Sequence, residues 1–478
     1  MIILTVLGKD YISRIDNLNN EVWIDGKKID GKISQHPAFK GVLKSKAALY
    51  DLSNANKETF TFTSHITNSE VNFAFKQPKT KKDLERRFVA TKEWAQSNLG
   101  LLGRSPDYVN TGIMALGVAN SIFHEDKKNY DKNIFNIYKM AMENDLSFTH
   151  TFINPQVNRS IGYYEDSDKI IAAKVIRETS DGIIVKGARL LATQGGITDE
   201  VLVLPSGGNF IEDAYVYAFS IPSNTPGLKF ICRESFVNGE SNFDYPLGSK
   251  FEEMDSIVVF DEVLVPWERV FLYKNLEIAC NMFSETKFNT MLLFQAITRM
   301  IVKTEFILGL AETIVHSINI IEYQHVKDKL SEVISTLEIM KSLHLSSRFH
   351  STLDHFNTMV PDYKPLNVAI YYYPRIYPRL IEIIQLLGGS GMILLPTEEQ
   401  FQSPISSYLE NYLQATNVNA TDRVKLFRLA WDLCMSSFGT RQTQFERFFF
   451  GDPVRMGMGL YNSYPKESYV KLINDFLN

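Results

Sequence analysis

Three textures of apolar and polar residues follow one another along the chain. From about residue 276 onward the apolar positions recur at helical spacing. Leu293, Ile297 and Ile301 repeat every four residues, and Leu308, Ala311 and Val315 follow a three-then-four step. Val326, Leu330, Ile334 and Leu337 continue by threes and fours. These predict the core stripes of long amphipathic helices. Residues 150–272 read differently. Residues 169–179 are rich in branched side chains, and Ser180-Asp181-Gly182 signals a hairpin before a second apolar run at 183–191. Residues 201–204, 215–221, 229–232 and 257–260 are further short runs bounded by Gly, Pro, Asn or Asp. Short strands at this spacing predict a barrel or sandwich. Up to about residue 145 loops alternate with helical patterns. Residues 83–98 carry few breakers and set Leu84, Phe88 and Ala95 at helix-compatible spacings.

Composition narrows the class. A chain of 478 residues with 45% hydrophobic positions is long enough for two or three domains and a large core. The formal net charge is -5 and no basic run stands out, so no footprint for nucleic acid or an anionic membrane is visible. Cys232, Cys280 and Cys434 are far apart and odd in number, which argues against a disulfide framework and suits a reducing cytoplasm. The apolar start reaches Asp10 and Asp16 without a basic leader, so no signal peptide is expected. The longest apolar run, near 381–395, is broken by Gly388-Gly389-Ser390-Gly391 and is too short to span a bilayer.

Candidate chemistry gathers in two segments. Gly103-Arg104-Ser105-Pro106-Asp107-Tyr108-Val109-Asn110 supplies a fixed cation and a phenolic hydroxyl. Thr149-His150 and Asn154-Pro155-Gln156-Val157-Asn158-Arg159-Ser160 add an imidazole and polar amides. Together they form a kit for holding an easily ionised oxygen. A cation beside a phenol favours the phenolate, and an imidazole can take a proton near neutral pH. Each residue also has a structural alternative. Arg104 could pair with Asp107, Tyr108 could be a packed aromatic, and His150, one of nine histidines, could be structural. Pro106-Asp107 reads as a turn, so a loop is expected there. His344, His350 and His355 are spaced by six and five, do not share a helical face and have no cysteine companion, so no metal site is expected.

These segments resemble the oxygenase components of the two-component, flavin-dependent 4-hydroxyphenylacetate 3-monooxygenase family. The resemblance runs nearly the whole chain. It includes His36-Pro37-Ala38-Phe39, Gly187-Ala188-Arg189-Leu190-Leu191-Ala192-Thr193 and Val259-Phe260-Asp261-Glu262-Val263-Leu264-Val265-Pro266-Trp267-Glu268-Arg269. Leu387-Gly388-Gly389-Ser390-Gly391, Trp431-Asp432-Leu433, Phe438-Gly439-Thr440-Arg441-Gln442 and Gly451-Asp452-Pro453 follow in order.

The resemblance implies an α+β, mostly helical, acyl-CoA dehydrogenase-like fold. Its parts would be an N-terminal helical domain at 1–148, a middle β-barrel at 149–275 and a C-terminal helical bundle at 276–478. It implies ortho-hydroxylation of a para-substituted phenol through a flavin C4a-hydroperoxide. FADH₂ would come from a separate flavin reductase and O₂ would be the oxidant. By resemblance Arg104, Tyr108 and His150 are catalytic and bind the substrate hydroxyl, while Ser206 and Gly207 belong to a loop over the substrate. The family often has Ser-Thr there; Ser206-Gly207 loses a hydroxyl and leaves the substrate's tail open. The flavin would be met by His150, Thr151, Phe152, Gln156, Val157, Asn158, Arg159 and Thr193. Gly388, Gly389, Gly391, Phe450, Gly451, Asp452 and Pro453 would complete that site. A cytoplasmic homotetramer is expected, with no nucleic acid, membrane or metal. Other readings are a role on a biosynthetic aromatic intermediate, a dehydratase or dehydrogenase of the same fold, or a scaffold. A dehydratase would need a cysteine pair near Gly103–Tyr108 for its iron–sulfur cluster, and none stands there.

Overall fold

The computed structural model describes residues 5–157, 169–206 and 213–478. One compact unit takes in Met1–Phe306 and Arg348–Pro361; the other takes in Ile307–Ser347 and Asp362–Asn478. Helices predominate in both, and the strands with long apolar runs lie in the first.

In the first unit the helix expected at 83–98 spans Lys81–Ser97. A capping box between Thr80 and Asp83 sets its start, satisfying backbone donors that the first turn leaves over. Leu84 and Ala95 are buried as the spacing implied. Arg87 is buried as well and donates to Thr111 Oγ1 at 3.0 Å.

Apart from the two-stranded pairs Thr61–Ser64 with Ser69–Asn72 and Thr352–Leu353 with Met359–Val360, the strands form two sheets. In the larger, the order is Lys27–Lys28, Val22–Ile24, Leu228–Cys232, Asp255–Pro266, Gly182–Thr193 and Lys174–Glu178. In the smaller it is Val270–Tyr273, Tyr217–Pro222, Glu200–Val203 and Phe148–Thr151. The hairpin at Ser180-Asp181-Gly182 joins Lys174–Glu178 to Gly182–Thr193 in antiparallel register, as expected. Among the described residues neither sheet closes, which corrects the expected barrel. The edge beside Leu228–Cys232 is occupied by a hairpin from the N-terminal part, with Val22 paired in parallel to Phe230. That hairpin ends in the exposed pair Lys27–Lys28, and an edge ended in lysines resists further pairing. Strand Glu200–Val203 is buried throughout, and Val201, Leu202, Phe219, Phe230, Val258 and Phe260 build the core beside it.

Lys46, on helix Pro37–Ala55, is also inside. It donates to the Ile197 carbonyl at 3.3 Å and lies 5.2 Å from the Tyr11 ring centroid. Burial pulls its pKa down to about 7, with Asp199 and Glu253 pulling the other way. The unfolded lysine keeps its proton to about 10.4. Between these values the unfolded state binds more protons, so stability rises with pH across that window. Lys46→Met is expected to stabilise the protein by about 2 kcal/mol at pH 7, and by less as pH approaches 10. Ile197 keeps the Tyr11 hydroxyl as donor at 3.0 Å, and Asp199 keeps Arg14 at 2.6 Å. Urea melts of both proteins at pH 7 and 9.5 measure the difference; an equal gain at the two pH values contradicts it.

In the second unit long helices pack along stripes close to those expected. On helix Gln324–Phe349 the buried set is Val326, Leu330, Val333, Thr336, Leu337, Met340, His344 and Ser347. Ile334 was expected inward but is 44% exposed, because the stripe advances by threes and fours and Val333 takes that slot. Helix Tyr363–Gly388 contains Pro374 and Pro378, which remove two of its N–H donors. The last helices, Pro453–Ser463 and Glu467–Leu477, bury none of their residues. Among the described residues no helix is long and apolar enough to cross a membrane.

Candidate active site

The segment expected as a loop at Pro106-Asp107 is the first turn of helix Pro106–Val118. Proline's fixed φ suits the first helical position, where its missing N–H costs nothing. Ser105 Oγ donates to Asp107, and Gln295 Nε2 reaches Asp107 Oδ2 at 3.1 Å. Asp107 therefore braces the helix start. Burial raises its pKa, and the donors from Ser105 and Gln295 oppose the rise. Tyr108 thus stands on a helical turn, with its N–H bonded to the Ser105 carbonyl at 3.0 Å. The helix runs deep: at Gly112 a Cβ would lie 2.6 Å from the Phe288 ring.

Arg104, half-buried, precedes this helix, and its guanidinium carbon lies 4.8 Å from the Tyr108 ring centroid. The Tyr108 ring is 6.0 Å from that of His150, tilted by 45°. His150 in turn stacks on Phe152 at 5.5 Å. The three residues singled out for the substrate hydroxyl are thus gathered in space. Strand Phe148–Thr151 carries His150 opposite Leu202, and Thr149 and Thr151 donate to the carbonyls of Thr193 and Leu190.

Electrostatics sets the state of each group. Burial, and then the Arg104 charge, hold His150 well below its ordinary pKa, so the imidazole is neutral at neutral pH. Its Nδ1 is buried with no hydrogen-bond partner among the described residues. Burial raises Tyr108 while Arg104 and Arg299 pull it back, so its hydroxyl keeps its proton. The site therefore offers a cation, a phenolic donor and a neutral imidazole with an unused nitrogen. A phenol entering as its anion would meet complementary charge, and one entering neutral would meet a base.

Phe152, which stacks on the imidazole, is 39% exposed, and Val157 and Leu191 are 59 and 57% exposed. Leu191 sits at φ 55°, a turn of the backbone inside strand Gly182–Thr193. An exposed Phe152 ring stacked on an imidazole with an unpaired buried nitrogen suits a flat ring system with polar edges, as a flavin has. Gln156 is exposed. Thr193 Oγ1, by contrast, already donates to Asp255 Oδ1 at 2.8 Å. Ser206 Oγ accepts from Asn154 Nδ2 at 2.8 Å, and Asn154 Oδ1 accepts from the fully buried Arg189 at 2.5 Å. Asn158, Arg159 and Gly207 lie outside the described residues.

The remaining expected flavin contacts belong to the second unit. Gly388 ends helix Tyr363–Gly388, and Gly389 has φ 53°, turning the chain into a short 3-10 segment. At Gly391 a Cβ would lie 2.8 Å from the Phe427 ring. The glycine cluster is an interhelical turn in which packing against Phe427 demands a small residue at Gly391 and the positive φ favours glycine at Gly389. Phe450 stacks edge-on with Phe449, and Gly451 has φ 112°. Asp452 caps helix Pro453–Ser463 by accepting from Val454 at 2.7 Å.

Sequence reasoning missed several residues around the first cluster. Arg299 is buried in an apolar helix, bonds the Gly100 carbonyl at 3.0 Å and acts on Tyr108. Arg189, Gln295 and Glu253 are likewise buried. The available signal was a charged or amide residue inside an apolar run, which needs a partner when buried.

Comparison with known proteins gives the family. The sequence matches the family described as 4-hydroxyphenylacetate 3-hydroxylase, its N-terminal part over residues 7–272 and its C-terminal part over 279–478. It is 50% identical over 473 residues, 98% of each chain, to a probable 4-hydroxyphenylacetate 3-monooxygenase of Bacillus subtilis. It is 47% identical to the oxygenase component of 4-hydroxyphenylacetate 3-monooxygenase from Geobacillus, covering 98% of this chain and 96% of that one. A crystal structure of such an oxygenase component, complexed with FAD and 4-hydroxyphenylacetate, matches with a TM-score of 0.94. It is 41% identical, and the match covers 99% of this chain and 98% of that one. An archaeal 4-hydroxybutyryl-CoA dehydratase from N. maritimus shares the fold, with a TM-score of 0.88 at 18% identity over 99% and 95% of the chains. With both halves matched and so many positions shared end to end, the chain belongs to the 4-hydroxyphenylacetate 3-hydroxylase family.

Proposed function

We propose that this chain is the oxygenase component of a reduced-flavin-dependent monooxygenase. It would convert a para-substituted phenol to the catechol, with FADH₂ delivered by a separate reductase. The overall change is phenol, O₂ and FADH₂ to catechol, water and FAD. One observation carries the reading: the Arg104 guanidinium and the Tyr108 ring converge on a buried, neutral His150 whose Nδ1 has no partner among the described residues. The relatives named for this reaction, and the related structure holding FAD and 4-hydroxyphenylacetate, support it.

Reduced FAD, when bound, supplies the two electrons that let dioxygen be split, one oxygen going to the ring. The protein's own residues do the rest. Arg104 lowers the pKa of the phenol by placing a fixed positive charge beside it. Tyr108 donates to the same oxygen and fixes its direction. The neutral His150 takes the phenol's proton. Phe152, Val157 and Leu191 provide apolar surface that keeps water from the reacting atoms. Thr151, Gln156, Asn158, Arg159 and Thr193 are assigned to the flavin with them. Gly388, Gly389, Gly391 and residues 450–453 are assigned to its far end. The Thr193 hydroxyl would serve as an acceptor, because its proton is donated to Asp255. Ser206 and Gly207 would read the para substituent.

The architecture is assigned as acyl-CoA dehydrogenase-like, with parts at 1–148, 149–275 and 276–478. A homotetramer built through the helices after residue 276 accounts for the exposed Val470, Ile473 and Phe476 on the last helix. The three free cysteines suit a cytoplasmic setting.

The test supplies purified chain with FAD, a flavin reductase, NADH, ¹⁸O₂ and a panel of para-substituted phenols. Products are read by mass. A catechol carrying one ¹⁸O is expected for at least one phenol. Unchanged phenol across the panel, with FADH₂ bound and O₂ consumed, overturns the reading.

A further inference from the structure

Glu252-Glu253-Met254-Asp255 puts three carboxylates within four residues. In the structure it is a strap through the interior. Glu253 is fully buried, and Glu252 is 2% exposed. The Glu253 carboxylate accepts the backbone N–H of Gly103 at 2.8 Å and of Arg104 at 2.7 Å. It also accepts from Gln194 Nε2 at 2.8 Å. Gln194 follows Thr193, holds a positive φ of 62°, and donates its own N–H to the Met254 carbonyl at 2.7 Å. On either side, Glu252 pairs with Arg233 at 2.7 Å and Asp255 takes the Thr193 hydroxyl at 2.8 Å. Glu253, Met254 and Asp255 thus tie the Arg104 segment to the end of strand Gly182–Thr193.

We propose that Glu253 is a positioning residue for the Arg104 guanidinium. Two consecutive N–H groups on one carboxylate fix the peptide planes at Gly103 and Arg104, and with them the direction in which the Arg104 side chain leaves the backbone. A carboxylate is the group this requires. It has two acceptor oxygens and no hydrogen, whereas an amide turns one N–H against another. A buried charge left without these donors is costly, so the carboxylate and the two peptides hold each other in place. The proposal rests on the assignment of Arg104 to the phenol oxygen.

The test is a double-mutant cycle with Glu253→Gln and Arg104→Ala in the full-length, FAD-loaded protein. If Glu253 acts through Arg104, Glu253→Gln lowers kcat/KM for the phenol by roughly 10–100-fold and diverts O₂ to peroxide, because small misplacements of a binding group are amplified in rate. The dissociation constant for FAD stays within about threefold, and in the Arg104→Ala background the second change adds less than about twofold. An equal loss in both backgrounds, or an unchanged coupling ratio in the single variant, overturns the proposal. Intact coupling in Arg104→Ala alone overturns the assignment of Arg104, and the proposal with it. Amide exchange on the unmutated protein needs no variant to fold. Gly103 and Arg104 should exchange as slowly as the amides inside helix Pro106–Val118; exchange at open-loop rates refutes the anchoring.

Discussion

Arg104→Ala is expected to lower kcat/KM for the phenol by on the order of 10²–10³-fold, the loss typical of removing one preorganised donor from a developing oxyanion. The guanidinium lies over Tyr108 and its charge acts on both Tyr108 and His150. It therefore contributes positive potential at both groups, joined at Tyr108 by Arg299. Without it the phenol stays protonated and the ring carbon ortho to its oxygen is a weaker nucleophile. Oxygen uptake with reduced flavin should continue, because Arg104 is assigned to the substrate. The product should change from catechol to hydrogen peroxide. Arg104→Lys should recover only part of the loss, since an ammonium lacks the planar fork of donors. An oxygen electrode with catechol and peroxide assays on one sample decides the matter; coupled hydroxylation at the original rate would count against the role.

His150→Ala is expected to cost about 10²-fold in kcat/KM, the scale of a lost proton acceptor. The pH dependence separates this from lost packing. Burial and Arg104 hold the imidazole well below its usual range, so it is already neutral at neutral pH. The activity profile of the unmutated enzyme should therefore show no limb at the ordinary histidine value and should instead follow ionisation of the phenol. Stability has a definite sign too. The unfolded histidine takes a proton below about pH 6.5 that the folded one refuses. Acidification through that value therefore favours unfolding. His150→Asn should remove part of the loss, which urea midpoints at pH 7.5 and 5.5 would reveal. Arg104→Ala should raise the His150 pKa by removing the neighbouring charge. An NMR titration showing His150 at its usual value in the unmutated protein would sink the argument.

Much of the fold was legible because periodicity reports burial. The helix at Lys81–Ser97 and the hairpin around Asp181 follow from pattern and turn chemistry, both local. Pro106 was misread because proline begins turns and helices alike, and the choice is made by Gln295 bracing Asp107 from a distant helix. The barrel failed for a similar reason. Nothing in a three-residue run such as Val22–Ile24 announces that it will occupy the edge of a sheet whose other strands come much later. The gathering of Arg104, Tyr108 and His150 was anticipated through their motifs, but the burial of Glu253 was not. Three carboxylates among four residues look like a solvated turn until their partners are seen to be buried peptide groups.

The parallel pairing of Val22 with Phe230 has a consequence for synthesis. A ribosome makes Val22 roughly 200 residues before its partner, and at roughly 5–20 residues per second the wait is on the order of 10–40 s. During that time the N-terminal hairpin has no sheet to join, and its early helices must stay soluble without it. Slowing translation between these positions, by rare codons placed after residue 150, would lengthen the exposure of Val22 and Ile24. The yield of correctly assembled protein would then be limited by the pace at which the far end of the sheet is delivered.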